Sequence, residues 1–137
     1  MKSFIYLSIF ALIFSLTTFS IQDANATLAY QSTLGETGIT GSDNFHFNLS
    51  WNVVVDSSGN LYVADTDNHR IQIFDSTGVY LSTLGETGVT GSDNAHFSGP
   101  TSVAVDSSNN LYVADTDNHR VQIFDSTGTY LSTLGDT

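Results

Sequence analysis

Histidine, aspartate, asparagine, arginine and serine supply the chemistry-bearing side chains of this chain, which contains no cysteine. Thiol nucleophiles and disulfides are therefore excluded. Serines are frequent, yet none stands in a nucleophile elbow or beside a recognisable His-and-acid set, so they read as turn residues. His46 and His96 precede apolar β-prone runs, and His69 and His119 sit in a polar turn, so no pair has the short spacing of a local zinc motif. A metal gathered from His46 and His96 across neighbouring repeats is the only arrangement the spacing leaves open. Asp65-Thr66-Asp67-Asn68 places acids at alternate positions as a calcium loop does, but lacks the glycine at the sixth position and the glutamate at the twelfth. No metal or cofactor is expected.

The most conspicuous polar set is Asp65, Asn68 and Arg70, repeated as Asp115, Asn118 and Arg120. A ligand role is one reading. The stronger one is structural: Asp and Asn suit a tight turn between two strands, and Arg pairs with a nearby carboxylate while its stem packs on the sheet.

These sets lie at equivalent places because Gly38–Thr87 aligns without a gap onto Gly88–Thr137, with twelve differing pairs. The register extends backwards, since residues 27–35 match the segments that begin at Thr77 and Thr127. Each repeat holds four β-prone runs, in the second TSVAVD, LYVADT, RVQIFD and YLSTLG, and no helical periodicity. Apolar residues occupy both faces of the first two runs, which predicts cover on both sides. Ser57-Ser58-Gly59-Asn60, which returns as Ser107-Ser108-Asn109-Asn110, and Asp75-Ser76-Thr77-Gly78, with its copy at Asp125–Gly128, supply the hairpin turns. Four antiparallel strands at this period describe a propeller blade. The expected architecture is all-β: two full blades, residues 38–87 and 88–137, and a partial one over 27–37 whose outer strand is Ala29–Leu34.

Residues 1–26 read as a secretory leader. A positive start at Lys2 and an apolar run from Phe4 to Phe19 lead to Ala24-Asn25-Ala26, which predicts cleavage after Ala26. The run is interrupted by Ser8, Ser15, Thr17 and Thr18 and falls short of the roughly 20 apolar residues of a membrane span. Cleavage leaves 13 acids against two arginines and the net charge at −11. Such a surface repels a phosphate backbone and anionic lipid, which disfavours nucleic acid and membranes as partners. Asn48-Leu49-Ser50 and Asn25-Ala26-Thr27 fit the glycosylation pattern, the second across the expected cleavage point.

Leu61-Tyr62-Val63-Ala64-Asp65-Thr66-Asp67-Asn68-His69-Arg70 and its copy at Leu111–Arg120 closely resemble the signature of the NHL repeat family. The flanks resemble it too: Phe97-Ser98-Gly99-Pro100 before the first strand, Val105-Asp106-Ser107-Ser108 after it, and Ile123-Phe124-Asp125 at the end of the third. The resemblance implies a toroid, usually of six blades, used mostly as a platform for proteins, glycans or, in basic members, RNA. A minority of related propellers are metal-dependent lyases and lactonases.

The expectation is an exported binding module for a protein or carbohydrate, without chemistry of its own. An enzyme of the lyase or lactonase type is the alternative, and a structural cell-surface repeat protein a third. Binding is expected at the loop entering the innermost strand, because seven of the twelve differences fall between residues 45 and 54. Asn48, Trp51 and Asn52, with Thr101 and Ser102 in the second repeat, are the candidate contacts, and Trp51, the sole tryptophan, is the candidate anchor. Two blades leave apolar faces uncovered, so further repeats or further copies are expected to complete the ring.

Overall fold

The structure, a computed structural model, describes residues 32–135. The expected leader lies outside the described residues, as do positions 29–31 of the expected outer strand. Ser32–Leu34, the rest of that strand, are not in a sheet. The reason is a missing partner: an outer strand pairs with the third strand of its own blade, and each third strand described here already holds another.

Two four-stranded antiparallel sheets follow one another. The first blade is β1 (Ser50–Val55), β2 (Leu61–Asp65), β3 (Arg70–Phe74) and β4 (Tyr80–Leu84); the second is β5 (Pro100–Val105), β6 (Leu111–Asp115), β7 (Arg120–Phe124) and β8 (Tyr130–Leu134). Each sheet is ordered as its strands run in sequence, and neither closes on the other. The hairpin turns form where the polar runs stand. Asp56 Oδ1 accepts the backbone N–H groups of Ser58 and Asn60, and its Oδ2 accepts the Asn60 amide, which folds the chain from β1 into β2. Gly59 and Asn109 both take positive φ there, +88° and +61°, as an asparagine-for-glycine exchange requires.

Strand register sorts the side chains of each blade onto two faces. On one face of the first blade, Asn52, Ala64, Ile71 and Leu84 stand in a row across the strands, beside Val54, Tyr62 and Ile73. This is the trailing face, and it packs on the second blade. The face of the second blade that meets it, its leading face, carries Val103 and Val113 beside Val105, Leu111, Phe124 and Tyr130. Together these residues and Phe97 make the core cluster. Phe97 meets Phe124, and Phe124 meets Tyr130, edge to face with ring centroids about 6 Å apart.

The cover expected on both sides of the first strand of each repeat is found on one side only. Val103 of β5 is 3% exposed, whereas Val53, its counterpart in β1, is 55% exposed. Ala104, on the opposite face of β5, is exposed as well. Sequence gives each strand two apolar faces, but burial needs a blade on each side, and among the described residues each blade has one neighbour.

Candidate functional site

A six-residue step from β2 to β3 builds the polar centre of each blade. After Asp65 the chain makes one 3-10 turn over Thr66–Asn68, and His69 ends it in the left-handed conformation at φ 55°, its N–H donating to Thr66 O. The turn brings Asn68 and Arg70 back to Asp65. Asp65 Oδ2 accepts Arg70 Nε at 2.7 Å and Asn68 Nδ2 at 2.9 Å, while Oδ1 accepts the backbone N–H of Asn48 at 2.7 Å. Arg70 and Asp65 are both fully buried. A charge pair so far from water is tolerable only when its remaining donors are satisfied. They are: Arg70 Nη1 donates to Ser42 O and Thr87 Oγ1, and Nη2 to Asp43 O and His46 O. Asn68 Nδ2 also reaches Gly41 O at 2.8 Å. The set thus pulls the loop before β1 down onto the sheet.

The second blade repeats the centre bond for bond. Asp115 Oδ2 accepts Arg120 Nε at 2.7 Å and Asn118 Nδ2 at 2.9 Å, and Arg120 donates to Ser92 O, Asp93 O and His96 O. The sequence did not single out Gln72 and Gln122, which are fully buried beside these centres, with Nε2 near Asp43 O and His96 O respectively. The signal was present: in R-I-Q-I-F a period of two puts Arg, Gln and Phe on one face, so a polar residue between them must join the arginine's network.

The centre offers nothing to a ligand. The Asp carboxylates are enclosed, and their oxygens are engaged by protein donors. Outside it, each histidine before a first strand bridges two acids. His46 Nδ1 lies 2.8 Å from Asp43 Oδ1, and its Nε2 3.4 Å from Glu36 Oε2; His96 meets Asp93 at 2.7 Å and Glu86 at 3.2 Å. The hydrogen bond to Asp43, then that to Glu36, raises the His46 pKa above its ordinary value, and Asp93 and Glu86 do the same for His96. Asp43 is held below its ordinary value by the backbone N–H of Phe45 and then by His46. Each histidine is thus engaged with one acid of its own repeat, Asp43 or Asp93, and with one from the segment before it, Glu36 or Glu86. Among the described residues no group of three or more His, Asp or Glu is arranged to hold a metal ion. Asp56 and Asp106, the acids nearest the inner strands, belong to turns: Tyr62 and Tyr112 each donate a hydroxyl to them.

The residues expected to contact a ligand lie at the starts of β1 and β5. Both starts carry an irregularity in pairing, between Ser50 and Asn52 and between Pro100 and Ser102. Asn48 is half-buried, with its backbone in the polar centre and its carbonyl accepting from Asp67 N–H at 3.1 Å. Asn52 Oδ1 accepts the Val103 backbone N–H at 3.1 Å, which ties β1 to β5. Thr101 Oγ1 lies 2.6 Å from Thr116 Oγ1, and Ser102 is half-buried. Trp51 differs from all of these: two-thirds of it is exposed. At this end of the inner strands the asparagines and threonine serve the scaffold, and the indole faces solvent.

The family model for the NHL repeat matches residues 47–74 and 97–124, spans that each contain three inner strands and one Asp–Asn–Arg centre. No curated protein matches the chain. With its two matched units folded as successive four-stranded blades of an unclosed propeller, the chain carries two tandem NHL repeats.

Proposed function

We propose that this protein is an exported binding module that recognises a protein or carbohydrate at the start of its innermost strands, with Trp51 as the anchor. NHL repeats point to a propeller-type binding platform, and the exposure of Trp51 is the observation that supports this reading. A solvent-facing indole at 66% exposure is costly to leave unpartnered, and its flat apolar face suits both a sugar ring and an interface hot spot. The second blade has Thr101 at the same position, so the scaffold does not need an aromatic there. The histidines favour binding over metal chemistry, because each is held by two acids beside it, Asp43 and Glu36 or Asp93 and Glu86. The leader-like residues 1–26 and the net charge of −11 fit an exported product that avoids nucleic acid and anionic membranes.

The single tryptophan makes the test direct. Oligosaccharide panels and purified extracellular proteins are titrated against the mature chain while its tryptophan emission is followed. A binder should shift the emission, and Trp51→Ala should cost at least about 2 kcal/mol of its affinity. A ligand that binds without changing the emission, and equally well to Trp51→Ala, would overturn the assignment.

A further inference from the structure

Among the described residues two faces at the ends of the two-blade array are partly uncovered, the front one at its inner end only since Val63 and Phe74 are buried, and they are the same pair of faces that cover each other inside it. At the front is the leading face of the first blade, where Val53 and Val55 are 55% and 57% exposed. Their counterparts Val103 and Val105 are buried and half-buried against the first blade. At the back is the trailing face of the second blade, with Ala104 exposed, Tyr112, Ala114, Val121 and Ile123 half-buried, and Leu134 58% exposed. The same positions in the first blade, Tyr62, Ala64 and Ile71, are buried by the second.

We infer that the leading face of the first blade is a docking surface for the second blade of another copy of this chain, in the register that joins the two blades within one chain. Three observations carry this. First, the leading row Val53, Val55, Leu61, Val63, Phe74 and Tyr80 is identical to Val103, Val105, Leu111, Val113, Phe124 and Tyr130, although in the first blade its inner end faces solvent. An exposed strand under no demand to be covered has no use for two valines on its wet face.

Second, one of the polar links across the internal junction, that of Gly99 to His69, has its donor and acceptor types at the open ends too. Thr66 Oγ1 donates to Pro100 O at 2.7 Å, and Gly99 N–H donates to His69 Nδ1 at 3.1 Å. His119 stands at the back and the backbone N–H of Leu49 at the front, whereas Thr116 Oγ1 already meets Thr101 Oγ1 and Ser102 replaces the Asn52 that accepts Val103 N–H.

Third, the differences between the faces compensate in size. The trailing face loses bulk in the second blade, where Ser102, Ala104 and Val121 replace Asn52, Val54 and Ile71. The front edge gains it, where Leu49 replaces Gly99. Position 99 lies against the first blade through its bond to His69, so Leu49 lies at the matching edge, 55% exposed. Small against large restores the packing that the shared sequence alone would not.

The contact is made by the inner strands. At the outer corner the place is already taken, because Leu34 approaches the position of Gly78 as Leu84 approaches that of Gly128. Front and back are different surfaces, so the association is head to tail and propagates until a ring closes, rather than stopping at a two-fold dimer.

The absence of cysteine gives a clean test. Val53→Cys and Ser102→Cys are made separately in the mature chain, in about 0.15 M salt, where repulsion between acidic copies is screened beyond about 8 Å. Positions 53 and 102 would face each other as Val103 and Asn52 do within the chain. Under mild oxidation each variant alone should stay uncrosslinked, and an equimolar mixture should give the mixed dimer. Sedimentation should show a discrete assembly of the unmodified chain. Val53→Arg should abolish that assembly while its circular dichroism spectrum stays that of the parent, because Val53 is more than half exposed in the isolated chain. A monomer at every concentration would overturn the inference, as would 53–53 or 102–102 crosslinks, or aggregation without preference for the mixed pair.

Discussion

The two blades carry nearly the same residues and live in different surroundings. Val53 and Val103 have the same side chain, strand position and cross-strand partner type, yet one is mostly exposed and the other enclosed. The polar centres show the opposite. Asp65 with Arg70 and Asp115 with Arg120 are buried alike, because the groups that satisfy them, Thr87 apart, come from the same blade and its own preceding loop. Burial of the centre is thus a property of a blade, and burial of the valines of its first strand a property of a pair of blades.

The sharpest way to break this comparison is at the centres. Removing one partner of a buried pair leaves an uncompensated charge, which costs about 3–5 kcal/mol. Asp65→Ala and Asp115→Ala should therefore each lower stability by about that amount in urea denaturation. Near-equal losses would support the centre as a property of each blade alone. A loss under about 1 kcal/mol at either site would show that the centre tolerates an unpaired arginine, as surface pairs do. Arg70 also donates to Thr87 in the loop leading to the second blade; the equivalent Thr137 lies outside the described residues. Arg70→Ala should accordingly loosen the junction between blades as well as the first blade itself.

Truncation of the matched valines tests the other half. Val103→Ala removes buried methyl groups and leaves a cavity, a loss of about 2 kcal/mol. Val53→Ala, at an exposed site, should stay within about 0.5 kcal/mol in the dissociated chain. The gap between the two is the contribution of a neighbouring blade at one position. Should Val53→Ala prove as costly as Val103→Ala at concentrations where the chain associates, the gap has been closed by a second copy.

The repeat made the blade architecture legible. Strand runs, hairpin turns and the Asp–Asn–Arg signature occur twice at one spacing, so each reading could be checked against its copy, and the β-strands lie where the runs stand. Burial was less legible. Apolar residues on both sides of a strand record what the strand can bury, and they cannot say how many neighbours it has. The roles at the start of the inner strands were hidden for another reason. Asn52 reads as a free polar side chain in sequence, and only the approach of β5 turns it into the acceptor for Val103 N–H. Leu49 shows the same limit, since its left-handed φ of 55° is visible only beside Gly99 at φ 56°. A leucine would never be read as a turn residue, and it pays the usual penalty for that conformation.

The smallest expected effect concerns the loops before β1 and β5, where the two blades should behave alike and independently. Protonated His46 and His96 gain hydrogen-bonded carboxylates on folding, so their folded pKa values lie above the ordinary 6.5. The stabilisation from each is therefore complete below the unfolded value and is lost as pH rises through the raised one. Asp43 and Asp93 are shifted the other way, below 3.8, so their contribution is present above that value and is lost as pH falls through the lowered one. The loop ties should be firmest between these limits, in mildly acidic solution. Imidazole resonances followed by NMR across neutral pH should show both histidines titrating above 6.5. Asp43→Asn should bring His46 down and leave His96 where it was, because the two bridges share no residue. If His96 moved with it, the loops would be coupled through the junction, and the division between what a blade holds by itself and what it borrows from its neighbour would have to be redrawn.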